Sequence, residues 1–126
     1  MIEVVAGAIL KNGRFLAAQR RSGVWEFPGG KVEPGESRQD ALAREMSEEL
    51  AVQATVQHFV ASNASPRLNV SLFTAKTNDE PQPLDHYSLA WLDPHTARQL
   101  YWQPHDLPLL YALLNFLENS PESTAR

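Results

Sequence analysis

Three glutamates, Glu45, Glu48 and Glu49, fall within a stretch that otherwise reads as one helix, and their spacing constrains this chain more than any other feature. On a helix of 3.6 residues per turn, positions i, i+3 and i+4 share a face. Carboxylates held together on one face repel by about 1 kcal/mol per pair at 4 Å in water, and by more where burial lowers the dielectric. Such a face persists when it is well solvated and ion-paired, or when a cation sits on it. Within the helix only Arg38 and Arg44 are available against Asp40 and the three glutamates. Hard divalent cations prefer carboxylate oxygens. Charge pattern alone therefore leaves a solvated face and a divalent-cation site both open.

The helix has a clear start and a clear core side. Ser37 with Asp40 three residues on is a variant of the capping box. Leu42, Met46 and Leu50 recur at i+4 as a core stripe, with Ala43 beside them. At about 100° per residue, Glu49 lies beside that stripe, Glu45 further round and Glu48 furthest. Glu49 is thus expected to be the least solvated of the three. Ala41 falls in the acidic sector, a small residue where space would be needed.

Around the helix, apolar alternation predicts strands. Residues 2–10 are apolar on both alternating sets, as in a strand buried on both faces. Asn12-Gly13 predicts a type I′ hairpin turn, with 14–20 as the returning strand, ending at Arg20 and Arg21. Residues 22–37, rich in glycine and proline, read as a loop carrying Glu33 and Glu36. Strands are expected over 55–61, 69–75 and 87–92, with loops at 62–66 and 77–83. Asp93-Pro94 is expected to cap a short helix through Leu100. Asp106 is placed to N-cap a last helix with Pro108 in its first turn. Leu107, Leu110, Tyr111, Leu114 and Leu117 form that helix's apolar face. Residues 1–118 are expected to form one domain, and 119–126 a polar, fraying tail.

Several function classes are excluded by what the chain lacks. A net charge of −4 leaves no basic footprint for a nucleic acid polymer. No apolar run approaches the roughly 18 residues of a membrane span, and the N-terminus reads as a strand rather than a signal peptide. Without cysteine there is no disulfide framework or thiolate metal site; a cytoplasmic protein, monomeric or weakly dimeric, is the expectation. Gly29-Gly30-Lys31 lacks the spacing of a P-loop, and there is no G-x-S-x-G nucleophile elbow. His58, His86, His95 and His105 show no zinc-ligand spacing and are read as surface or loop residues.

The order of residues goes further than the charge pattern. Gly30, five residues, Glu36, seven residues, then Arg44-Glu45-Met46-Ser47-Glu48-Glu49-Leu50-Ala51-Val52 resembles the Nudix box, G-x5-E-x7-R-E-U-x-E-E-x-G-U, where U is a bulky aliphatic residue. Ala51, where the box has glycine, is the one departure. Alanine there would cost on the order of 1 kcal/mol if the left-handed conformation is kept. The flanks, MIEVVAGAIL, FLAAQRRSGVWEFPGGKVEPGES and WQPHDLPLLYAL, resemble the MutT-like nucleoside triphosphate pyrophosphohydrolases, and among them the small bacterial enzymes acting on CTP.

The resemblance implies an α/β fold of the Nudix type, a mixed β-sheet sandwiched between helices in a single domain. It implies hydrolysis of a nucleoside triphosphate to the monophosphate and pyrophosphate, with Mg²⁺ or Mn²⁺ as cofactor. By motif position, Glu45, Glu48, Glu49 and the backbone carbonyl of Gly29 would hold the metal, with Asp85 as an additional ligand or base from a loop. Water would attack the β-phosphorus with Glu45 as base, while Glu36 braces the loop and helix through Arg44. Arg20, Arg21 and, more weakly, Lys31 would contact phosphate. Asp106 aligns with a residue that reads the base edge, although an ordinary N-cap explains it equally well. Phe27, Phe73 and Trp102 are stacking candidates more easily assigned to the core. The first substrate expected is an oxidised or non-standard dNTP such as 8-oxo-dGTP, in nucleotide-pool sanitation. CTP or a modified cytidine triphosphate is the alternative, and a non-hydrolysing Nudix-like nucleotide sensor is a rival of another class.

Overall fold

A computed structural model describes residues 1–119. Its organising strand is β1 (Ile2–Lys11), which turns through Asn12 and Gly13 into β2 (Arg14–Gln19). Both turn residues have positive φ, 52° and 77°, the condition that made Asn-Gly a hairpin signal. Two short strands follow, β3 (Trp25–Glu26) and β4 (Gly29–Lys31), then helix α1 (Arg38–Leu50). β5 (Thr55–Ala64), β6 (Leu68–Lys76) and β7 (Ser88–Leu92) complete the sheet. Helix α2 (Pro94–Gln99), a 3-10 turn (Pro104–Asp106) and helix α3 (Leu107–Glu118) close the described chain.

The sheet is mixed and has seven strands, with a path β3-β2-β1-β6-β5 and with β4 paired to β1 and β7 to β2. β1 runs parallel to β6 from Ile2↔Leu68 to Ile9↔Ala75. Its other edge is shared: the first half pairs antiparallel with β4, and its end pairs with β2. Alternate residues of β1 enter two different cores. Val5 and Ile9, with Leu16, pack against Leu42, Met46 and Leu50 of α1. Ala6 and Ala8, with Phe15, pack against Leu109, Leu110 and Leu113 of α3. The sheet therefore lies between helices, and β1 is buried on both faces. Each fully buried leucine or methionine contributes about 1.5–3 kcal/mol to holding its helix down.

The structure departs from sequence expectation in four places. The stretch 22–37 is not all loop: β4 pairs Gly29, Gly30 and Lys31 with Ala6, Val5 and Val4. Glycine is the reason periodicity missed it, since a segment without side chains carries no alternation. At Gly29 a Cβ would lie 1.9 Å from the Val5 carbonyl oxygen, so the close strand approach itself requires glycine. β5 continues to Ala64 through irregular register near Phe59, where the residue alternation slips. Ala41 is fully buried in the α1 core and makes no room on the acidic side. Tyr111 is exposed, and the buried face of α3 is Leu109, Leu110, Leu113, Leu114 and Leu117. That helix is apolar almost all round, so spacing could not select the sector that faces the sheet. Of the expected tail, Asn119 caps α3 and residues 120–126 lie outside the described residues.

Candidate active site

The acidic face is built on α1 and held from both of its ends. At the start, Ser37 Oγ accepts from the Asp40 backbone N–H at 3.0 Å, the expected cap. At the end, Ala51 adopts φ 59°, ψ 35°, and its N–H donates to Ser47 O at 3.1 Å. The last turn is therefore intact despite the alanine. The final carbonyls find donors in the loop before β7: Gln82 N–H donates to Leu50 O at 2.8 Å and Leu84 N–H to Glu49 O at 3.1 Å. These bonds satisfy groups a helix end leaves unpaired, and they set Asp85 and His86 against the helix.

Arg44 organises the exposed half of the site. Its Nε donates to Glu36 Oε2 at 2.7 Å and its Nη2 to Glu36 Oε1 at 3.1 Å, a bidentate pair. Nη2 also reaches Lys31 O at 3.1 Å, while Nη1 donates to Glu45 Oε1 at 2.9 Å and Glu48 Oε1 at 3.0 Å. Glu36 itself accepts from the Glu33 backbone N–H at 3.0 Å. The guanidinium beside it holds the Glu36 carboxyl below the usual range, and Glu36 in turn raises Arg44 above its own. This is the bracing geometry expected of Glu36. Arg38 is spent elsewhere, on Glu3 at 2.9 Å. Glu45 is placed by Gly30, where a Cβ would sit 2.5 Å from the Glu45 carboxylate carbon.

Glu49 is the least solvated of the three, as its place beside the core stripe requires; the residue is 7% exposed. Burial pushes its carboxyl up to about 9, and the nearby carboxyls of Glu45, Asp85 and Glu26 add to the effect. Its Oε2 is buried with no hydrogen-bond partner among the described residues. Asp85 is exposed, yet it can bring a carboxylate oxygen into one group with Glu49 and His86, all three ligand atoms lying within 4.8 Å of one another.

His86 corrects the sequence reading. It sits on a loop, as expected, but its side chain is only 5% exposed. Nε2 lies 2.8 Å from Glu26 Oε2 and Nδ1 lies 3.8 Å from Glu49 Oε1. Glu26 is held by Arg20, whose Nε donates to Glu26 Oε1 at 2.8 Å. Neither Glu26 nor His86 was legible as a site residue, because their pairing spans 60 positions and neither belongs to a spaced motif. Adjacency of His86 to Asp85 was the one available signal.

The remaining candidates separate. Arg20 is engaged by Glu26, whereas the Arg21 guanidinium lies over the Tyr87 ring at 5.7 Å. Lys31 has an exposed side chain on β4. Asp106 occupies the N-cap position of α3 but makes no side-chain cap bond. Its Oδ2 instead accepts from the Phe27 N–H at 3.0 Å, joining the loop before β4 to the start of α3. Burial raises its carboxyl to about 6, the Phe27 bond opposing the shift and the Glu26 charge adding to it. Phe27, Phe73 and Trp102 are all buried core residues.

A mixed sheet between helices, carrying a glycine strand and a helix with this arginine–glutamate lattice, defines the Nudix class of hydrolase. Residues 1–113 match the NUDIX domain, and the chain belongs to that family. It is 43% identical over 125 residues to the CTP pyrophosphohydrolase of Escherichia coli K12, covering 90% of this chain and 92% of that protein. It is 31% identical over 137 residues to the 8-oxo-dGTP diphosphatase of Haemophilus influenzae, covering 94% and 96%. The solution structure of the E. coli ORF135 protein superposes with a TM-score of 0.82 at 40% identity, covering 96% of this chain and 94% of that one. The protein is thus a Nudix hydrolase and acts on a nucleotide. Among the described residues, no helix is long and apolar enough to cross a membrane.

Proposed function

We propose that this hydrolase converts a nucleoside triphosphate to the monophosphate and pyrophosphate with a divalent cation, Mg²⁺ or Mn²⁺. The observation that carries the reading is Glu49: a buried carboxyl with a donorless oxygen, set among Glu45, Asp85 and Glu26. Uncompensated buried carboxyls are costly, and oxygen-rich donor sets suit hard cations, so the residues present fit the metal. Glu45, Glu48, Glu49, Asp85 and the Gly29 carbonyl are the groups that would hold it. When bound, the cation neutralises the phosphates against the acidic face and polarises a phosphoryl oxygen.

The protein's own groups do the rest. Glu45, oriented by Arg44 and the space at Gly30, accepts a proton from water as its oxygen attacks the β-phosphorus. The bond from that phosphorus to the α,β-bridging oxygen breaks, releasing the nucleoside monophosphate. Glu36 keeps Arg44 in place. Phosphate contact falls to Arg20, Arg21 and Lys31; Arg20 engages Glu26 through Nε alone and stays half exposed. Asp106 faces the base, with Oδ2 engaged by Phe27.

Two bases are supported by relatives. An 8-oxo-guanine or other non-standard deoxynucleotide has the support of the relative at 31% identity, and a cytidine nucleotide that of the relative at 43%. The greater identity favours the cytidine nucleotide. A hydrolysis panel with Mg²⁺ tests both: NTPs, 8-oxo-dGTP, 5-substituted CTPs, ADP-ribose and diadenosine polyphosphates, with pyrophosphate scored apart from phosphate. Pyrophosphate from a triphosphate is the expected product. None from any triphosphate would refute the reading in favour of a different Nudix substrate or a non-hydrolysing sensor.

A further inference from the structure

Two buried polar atoms on the inner side of the site stand without partners. Glu49 Oε2 and His86 Nδ1 each lack a hydrogen-bond partner among the described residues. Their side chains are 9% and 5% exposed, and Nδ1 stands 3.8 Å from Glu49 Oε1, too far for a direct hydrogen bond. The orientation of the ring explains why Nδ1 is bare. Nε2 lies 2.8 Å from Glu26 Oε2. An ionised carboxylate only accepts, so Nε2 carries the proton, and in the neutral ring Nδ1 then presents a lone pair. Glu26 is fixed in its turn by Arg20 at 2.8 Å. The chain Arg20–Glu26–His86 thus turns Nδ1 toward Glu49, with Asp85 in the same group of ligand atoms.

An imidazole oriented by a carboxylate on its far nitrogen is the arrangement that surrounds metal-ligating histidines, because it selects the tautomer and raises the ring's basicity. A solvated or merely structural histidine would have no reason to keep its second nitrogen buried and without a donor. The three ligand atoms of Glu49, Asp85 and His86 lie within 4.8 Å of one another, so one ion can reach all of them. We infer that His86 Nδ1 is a nitrogen ligand to a divalent cation shared with Glu49 and Asp85. The inference rests on the metal-dependent reading above and extends it to the choice of ion. An all-carboxylate site suits Mg²⁺, whereas one imidazole in the set shifts preference toward Mn²⁺ and other transition metals. It also assigns Arg20 and Glu26 to positioning the imidazole.

The test uses the whole chain without nucleotide. Long-range ¹H–¹⁵N correlation spectra of the ¹⁵N-labelled protein are recorded during titration with diamagnetic Zn²⁺. His86 Nδ1 is expected to move from the position of a bare ring nitrogen in step with occupancy, while Nε2 stays protonated; His58, His95 and His105 serve as internal references. In parallel, Mn²⁺ binding is followed by electron paramagnetic resonance and Mg²⁺ by competition, for wild type and His86→Gln. Mn²⁺ affinity is expected to fall about tenfold or more, and Mg²⁺ affinity much less. A Zn²⁺-saturated chain with an unmoved Nδ1 would overturn the inference. So would equal losses of both metals in a folded variant, the mark of a purely structural histidine. Failure of wild type to bind any divalent cation would overturn the metal-dependent reading as well, which separates the two failures.

Discussion

Replacing Ala51 with glycine should stabilise the protein without altering its chemistry. Ala51 is exposed and sits at φ 59°, ψ 35°, so its cost is chiefly one of backbone. An L-residue in the left-handed region is disfavoured by about 1–2 kcal/mol. Glycine removes that strain but gives the unfolded chain more freedom, which offsets about 0.4–1 kcal/mol. The net gain is about 0.5–1 kcal/mol. For a chain of 126 residues the unfolding entropy is about 0.27 kcal/mol/K, so the midpoint should rise about 2–4 °C by calorimetry. Urea denaturation should show a higher midpoint with an unchanged slope. Turnover should stay within about twofold, because the bonds from Gln82 to Leu50 and from Leu84 to Glu49 depend on the turn and not on the methyl. Ala51→Val is the counter-test and should destabilise by more than about 1 kcal/mol, since a β-branched residue tolerates positive φ worst. An unchanged or lowered midpoint for Ala51→Gly would refute the assignment of strain to this position.

Gly30→Ala places a Cβ 2.5 Å from the Glu45 carboxylate; Glu45 must swing away, and turnover should fall about 100-fold while the melting point changes little, which steady-state kinetics beside a thermal melt would check. Glu49→Gln should reduce turnover by far more than about tenfold, or roughly 1.4 kcal/mol of barrier; a smaller loss would remove Glu49 from the metal site. Asp106 makes stability depend on pH. Its folded value, about 6, lies above the ordinary 3.8, so the folded state binds the proton more tightly. The stabilising contribution is complete below the unfolded value and is lost as pH rises through about 6, a change of about 3 kcal/mol. Asp106→Asn keeps an acceptor for the Phe27 N–H, so it should match wild type near pH 4 and exceed it at pH 8 in urea denaturation. An equal difference at both pH values would count against burial as the cause.

Local chemistry was legible wherever the signal was local. The Ser37 cap, the Asn12-Gly13 turn, the core stripe of α1 and the position of Glu49 beside it all depend on residues within a few positions of one another. The resemblance pairs Glu36 with Arg44, and the two side chains lie 2.7 and 3.1 Å apart. Reading failed where a residue's environment comes from elsewhere in the chain. Asp106 was placed correctly at a helix start, but its carboxyl turned to a backbone N–H 79 positions away. α3 was recognised as apolar, yet only its packing on the sheet settled that Tyr111 faces out.

The sequence by itself determined the acidic helix, its N-cap and its polarity, because helical periodicity makes neighbours of residues three and four apart. It also determined the family, through the order of those residues. Only the tertiary structure decided what meets that helix. β4 could pair because two glycines let it lie against β1, and this pairing brings Gly30 to Glu45. The loop before β7 could dock because the open carbonyls at the end of α1 accept its N–H groups, and this docking brings His86 to Glu49. Contacts of that kind depend on which surfaces the fold buries together, and no spacing along the chain encodes them.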